Sequence, residues 1–146
     1  MKKIMRILAG VASVLLLCSA SCSKDETNEK NLEGKWQSTS YSWSEYEAGK
    51  LVEEGSESCI DWYVGLYFKA DGTGQEIFFG EGESDTTPIT WVIMGDKLMI
   101  TDPDDDTVTF DIVEIKSNTM TLSLVEEYTE DGIQCRGITT YYFKKI

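Results

Sequence analysis

The chain has 146 residues, 13 Lys plus Arg against 26 Asp plus Glu, a formal net charge of −13, and no His. Hydrophobic residues at 41% and aromatics at 11% suffice for one buried core, which excludes wholesale disorder. The charge excludes a nucleic-acid partner, whose phosphates call for clustered Lys and Arg, and the lack of His removes the commonest general base and metal ligand.

At the N-terminus Lys2, Lys3 and Arg6 precede an apolar run from Ile7 to Cys18 that ends in Ser19-Ala20-Ser21. This is the layout of a secretory signal, and the run is well short of the roughly 20 residues that span a bilayer. Cys22, with a small residue before it and a Leu-rich run upstream, resembles the acylated cysteine of bacterial lipoproteins, although Ser19 stands where that family usually has Leu. The resemblance implies removal of residues 1–21 and a membrane anchor on Cys22, each buried CH₂ of its acyl chains contributing about 0.8 kcal/mol. Ordinary signal cleavage would instead leave Cys22 a spare thiol. Ser23-Lys24-Asp25-Glu26 resembles the export tag that sends some Gram-negative lipoproteins to the outer face of the cell, so the expected location is the outer membrane, lipid-anchored and exposed at the surface. Residues 22–31 then form the acylated Cys and a polar tether, and residues 32–146 the domain.

Cys59 and Cys135 remain beyond the signal, and an oxidising compartment favours their pairing in a disulfide over metal or redox work. Two buried free thiols are the alternative.

From Leu32 onward helical periodicity is nearly absent. Short runs rich in Val, Ile, Thr, Tyr, Phe and Trp are punctuated by Gly and Asp about every ten residues, an all-β pattern. Strands are predicted at 34–44, 59–70, 75–80, 88–94, 97–102, 107–115, 119–128 and 134–145. In the second, Ile60, Trp62, Val64, Leu66 and Phe68 alternate with mostly polar residues, so one face is buried. Met94-Gly95-Asp96-Lys97 reads as a type II′ hairpin that pairs Ile93 with Leu98 and Trp91 with Ile100. A four-residue loop at Asp71–Gly74 pairs Phe68 with Ile77 and Leu66 with Phe79. Eight hairpin-linked strands leave two exposed edges unless the first closes on the last, which predicts an eight-stranded up-and-down antiparallel barrel.

Gly34-Lys35-Trp36, placed ahead of such a meander, resembles the lipocalin superfamily, and specifically the lipocalin-like domains of bacterial outer-membrane lipoproteins. The resemblance covers residues 32–146. It implies that Gly34 and Trp36 close one end of the barrel and that a cation late in the last strand lies across the indole. Lys144 and Lys145 are the candidates in place of the family's usual Arg, and Lys144 is taken for that role.

In such a barrel the inner face offers Trp62, Phe79, Trp91, Ile100, Val108 and Leu124 toward the open mouth. Trp36, Phe68, Met120 and Tyr142 fall toward the closed end. If Trp36 points inward with unbroken alternation, Ser40 and Ser42 join the lumen, and small polar residues opposite large aromatics leave room for a ligand. A bulge in the first strand would swap in Tyr41 and Trp43. The competing expectation is a lumen filled by its own side chains.

The loops expected at the open mouth hold fourteen acids, among them Glu53, Glu54, Glu81, Glu83, Asp104, Asp105 and Asp106, with Lys50 their only base. Such a rim repels anions and favours cations or a basic protein surface, in the manner of small lipoprotein inhibitors of lysozyme, or serves solubility alone. Asp102-Pro103-Asp104-Asp105-Asp106 lacks the Gly and the distant Glu of a calcium loop and reads as a solvated turn, so no metal or cofactor is expected. Without His, and without a G-x-S-x-G, phosphate-loop or dinucleotide motif, no enzyme is expected either. The predicted function is the binding of a small, largely apolar molecule in the lumen.

Overall fold

The computed structural model describes residues 28–146; the expected signal peptide, Cys22 and the first part of the tether lie outside them. Nine strands follow in order: β1 Gly34–Glu47, β2 Lys50–Ser58, β3 Trp62–Phe68, β4 Thr73–Gly80, β5 Glu83–Met94, β6 Lys97–Thr101, β7 Thr107–Ile115, β8 Thr119–Glu130 and β9 Ile133–Lys145. Consecutive strands pair antiparallel, except that β3 pairs with β1 rather than with β2, and β1 also pairs with β9, so the sheet closes on itself. β1 meets β3 along Gly34–Gln37 and β2 along Ser40–Glu47. β2 and β3 are therefore two pieces of one wall, interrupted at residues 59–61, and the barrel has eight walls.

The segment 45–58, expected to be a loop, is half of a long hairpin instead. Its strand β2 is exposed on nearly every residue, so it has no hydrophobic alternation by which to announce itself. Backbone pairing and the turn define it: Ala48 and Gly49 both adopt positive φ, the geometry of a type I′ hairpin. Glu81-Gly82 and Asp131-Gly132 do the same, extending β5 back to Glu83 and β9 to Ile133.

At the other end, the hairpin at Gly95 has the expected register, with Ile93 opposite Leu98 and Trp91 opposite Ile100. The β3–β4 connection does not. Asp71 accepts from the Thr73 amide at 3.0 Å and from its hydroxyl at 2.6 Å, and Gly72 takes φ 81°, which tightens the turn so that Phe68 pairs with Gly74 rather than Ile77. The slip is three residues. An odd slip exchanges the two faces of a strand, so Glu76 and Phe78 turn inward while Ile77 and Phe79 turn outward.

The closed end is built around Trp36, 1% exposed, whose Nε1 donates to the Leu32 carbonyl at 2.7 Å. Residues 28–32 are helical, and fully buried Leu32 plugs the barrel, so the folded unit reaches into the segment expected to be tether. Lys145, not Lys144, lies across the indole, its Nζ 5.0 Å from the ring centroid and donating to the Asn31 carbonyl at 3.0 Å. Phe143 faces inward on β9, and alternation then sends Lys144 and Tyr142 outward, which also corrects the expected place of Tyr142. Gly34, at φ 119°, lets the lysine stem pass: a Cβ there would stand 2.8 Å from Lys145 Cε.

Cys59 and Cys135 are free, which corrects the expected disulfide. Cys59 follows β2 back down the barrel and bonds to the Thr39 carbonyl, whereas Cys135 pairs with Glu47 at the open rim. Eight positions along β1 separate those partners, roughly 26 Å at about 3.3 Å per residue, against the 7 Å or so between Cα atoms that a disulfide tolerates.

Candidate ligand-binding lumen

The inner face changes character along the barrel axis. Toward the closed end Trp36, Phe68, Leu98, Met120 and Leu122 interlock with almost no accessible surface, a filled core. Toward the open end the inward side chains keep theirs: Phe78 is 52% exposed, and Trp62, Val64, Val108 and Phe110 are half-buried. The barrel is a cup with a packed base.

A bulge in β1 decides what lines that cup. Between Ser38 and Ser40 the register with β9 shifts, and Thr39 takes the extra place. Ser38 stays buried and its Oγ accepts from the Val64 amide of β3 at 2.9 Å, just past the last paired residues of β1 and β3. Beyond it the faces exchange, so Ser40 and Ser42 lie outside and Tyr41 and Trp43 inside. The Tyr41 ring stands 5.4 Å from Trp62, 5.5 Å from Trp43 and 6.3 Å from Tyr141, while Trp62 stacks on Phe78 at 6.5 Å and Phe110 meets Tyr141 edge-on at 6.3 Å. Trp43 lies across Gly55 of β2, where a Cβ would sit 2.3 Å from its Cζ2, so glycine is the residue that admits the indole.

Of the residues expected in the lumen, Trp62 belongs to this aromatic group. Ile100 and Leu124 sit at its base, each 8% exposed, and Val108 is half-buried beside Ile100. Phe79 is on the outside, stacked on Tyr63 with centroids 5.1 Å apart, as the tightened turn requires. Trp91 does face inward, but toward the closed end. Its Nε1 donates to the carbonyls of Lys69 and Thr73 at 3.2 and 3.0 Å, and its ring meets Phe68 edge-on, so it staples the β3–β4 turn to the core. Phe78 and Tyr141 were not legible in the sequence, because each has an aromatic neighbour next in the chain and alternation cannot choose between adjacent rings.

Carboxylates share the cup. Glu57 of β2 accepts the Tyr41 hydroxyl at 2.6 Å, and that bond, followed by burial, pushes the phenol up to about 12. Glu76 follows the inward register of Leu66; it remains open to water yet has protein on most sides, and lost hydration, followed by repulsion from Asp102, raises its carboxyl above the ordinary value. Tyr141 on the facing wall is pushed up to about 12, by burial first and then by Glu126 and Glu76. Register places both side chains in the shared interior, Glu76 opposite buried Leu66 and Tyr141 two residues before buried Phe143.

The rim is acidic where expected. Glu53 and Glu54 lie in β2, Glu81 in the β4–β5 turn and Glu83 at the start of β5. In the β6–β7 turn one carboxylate oxygen of Asp102 accepts from the amides of Asp104 at 2.9 Å and Asp106 at 3.0 Å, with Asp105 left-handed between them. Among the described residues no three His, Cys, Asp or Glu side chains are grouped to hold a metal.

A closed antiparallel barrel of eight walls, plugged at one end and open at the other, is the architecture of the lipocalins. A family model for the lipocalin-like domain matches residues 32–122, and the chain belongs to that family. A lipocalin-like protein from Bacteroides uniformis ATCC 8492 shares the fold with a TM-score of 0.53 at 20% identity, over 80% of this chain and 99% of that one. Apocrustacyanin C2 shares it with a TM-score of 0.52 at 12% identity, over 85% of this chain and 66% of that one. At such identities the likeness is one of fold. None of the curated proteins matches the chain in sequence.

Proposed function

We propose that this is a lipid-anchored, extracytoplasmic binding protein that takes a small, largely apolar molecule into the open half of its barrel. The observation that carries the reading is the loss of packing along the axis, from fully buried Leu98 and Leu122 at the base to a half-exposed, inward-facing Phe78 near the mouth. Aromatic walls that remain wet are apolar surface awaiting a partner, and concave apolar sites with a few polar groups are what small-molecule pockets are made of. Family membership supports a binding role over a catalytic one.

The chain enters the barrel at the closed end, through the helical residues 28–32. An acyl anchor on Cys22 would therefore leave the open mouth facing away from the membrane and toward incoming ligand.

Native mass spectrometry of the chain recovered from its extracytoplasmic location tests the reading. A retained adduct that leaves on denaturation is the expected result, and its mass begins to identify the ligand. A bare mass that also refuses apolar probes would mean a filled lumen and overturn it. The acidic rim supports a second reading, docking of a basic protein; such a complex should dissociate between about 50 and 500 mM salt, whereas an adduct in the lumen should survive.

A further inference from the structure

The aromatic group and the inward carboxylates occupy the same half of the cup, contributed by several strands. Tyr41 and Trp43 come from β1, Trp62 from β3, Phe78 from β4, Phe110 from β7 and Tyr141 from β9. Glu76 stands on β4 and Glu126 on β8, where alternation from buried Leu122 and Leu124 turns it inward. The basic residues are elsewhere. Lys145 is beneath Trp36 in the plug, Lys97 is tied to Asp111 on the outer surface, and Lys50 stands at the mouth beside the β1–β2 turn. None of the described bases faces the aromatic half of the lumen.

We propose that the lumen's ligand is an organic cation, an ammonium group on an apolar body, held with its charge among the faces of Tyr41, Trp62 and Tyr141 and between the carboxylates of Glu76 and Glu126. The proposal rests on the lumen-binding reading and narrows it. Aromatic faces carry negative quadrupole potential, so a desolvated ammonium gains from each ring it meets, and quaternary ammonium recognition is the common use of such cages. Carboxylates between low-dielectric walls focus the field along the axis, and the acidic rim extends it outward. A carboxylate ligand in the same place would lose its hydration without a cation to replace it. A neutral apolar molecule would leave Glu76 and Glu126 to be desolvated for nothing in return. After burial, the charges of Glu126 and Glu76 are the next causes that hold the Tyr141 phenol above its ordinary value, in keeping with a negative field at this ring.

Three probes with one tail test this on the full chain by calorimetry: 4-phenylbutyl-trimethylammonium, 4-phenylbutanol and 4-phenylbutanoate. The expected order is cation at least tenfold tighter than alcohol, with no binding of the carboxylate at millimolar concentration. Glu76→Gln, nearly isosteric, should weaken the cation at least fivefold without weakening the alcohol, whose retained or tighter binding shows that the lumen is intact. Asp104→Asn on the rim should change neither by more than twofold at 150 mM salt. If alcohol and carboxylate bind as well as the cation, the charge preference is wrong and lumen binding stands. If the preference survives Glu76→Gln but is lost in Asp104→Asn, the rim attracts the cation and the proposed site is wrong. If no probe binds, the lumen reading falls together with the proposal.

Discussion

Tyr41 donates its hydroxyl to Glu57 across the β1–β2 hairpin, and Tyr141, its cross-strand partner on β9, meets the field of Glu126 and Glu76. Both phenols are pushed up to about 12. A tyrosine whose folded value lies above its unfolded value of about 10 binds its proton more tightly when folded, so the stability it contributes is complete below about pH 10 and is lost as pH rises toward 12. Tyr41 and Tyr141 should therefore ionise late among the seven tyrosines, and Tyr41→Phe and Tyr141→Phe should each remove one late equivalent from the tyrosinate absorbance titration. An ordinary titration at Tyr141 would place its ring outside the acid-lined interior. Neither tyrosine stands out in the sequence: Tyr41 sits in a Ser-rich run whose facing depends on the β1 bulge, and Tyr141 in an aromatic pair whose facing depends on the register of β9.

At the scale of elements, β1 organises the barrel by having three partners, and its bulge at Thr39 is the price of changing from β3 to β2 along one edge. The lower part of β1 obeys simple alternation, which is why Trp36 and Ser38 face inward as the sequence implies. The upper part does not, and Ser40 and Ser42 are displaced from the lumen by Tyr41 and Trp43. The end of β9 shows the same limit on a smaller scale: two adjacent lysines are equally good by composition, and only the register that buries Phe143 selects Lys145 for the indole. Lys145→Ala should lower the unfolding free energy by about 1–2 kcal/mol, combining the cation–π contact with the charged hydrogen bond to Asn31. Lys144→Ala, on the exposed face, should stay within about 0.5 kcal/mol in the same denaturant titration. Equal effects would mean that Lys145 does not brace the plug.

Over the whole molecule, the axis that divides filled core from open cup also divides charge. The chain enters at the packed end, and acids crowd the turns and strand ends of the other. An anchor at Cys22 would hold the first against the membrane and present the second. Cys22→Ser should release the protein from the membrane fraction and abolish incorporation of labelled fatty acid, leaving the barrel's thermal unfolding unchanged. Retention of the label in that variant would assign the anchor elsewhere.

Composition, turn chemistry and the period-2 runs were enough to point to an all-β meander, its closure into an eight-walled barrel and the acidic end, while the plug at Trp36 was implied by the resemblance of Gly34-Lys35-Trp36 to the lipocalins. These are local properties: a hairpin turn or an alternating strand is stabilised by residues close in the chain. The tertiary structure alone decided the bulge in β1, the three-residue slip between β3 and β4, the wet strand β2 and the distance between the two cysteines. Each depends on which backbone groups of distant strands meet. Because a strand's faces alternate residue by residue, a single such choice moves every side chain beyond it from one face to the other. The lining of the cup, with Phe78 in place of Phe79 and Tyr41 in place of Ser40, is the sum of those choices.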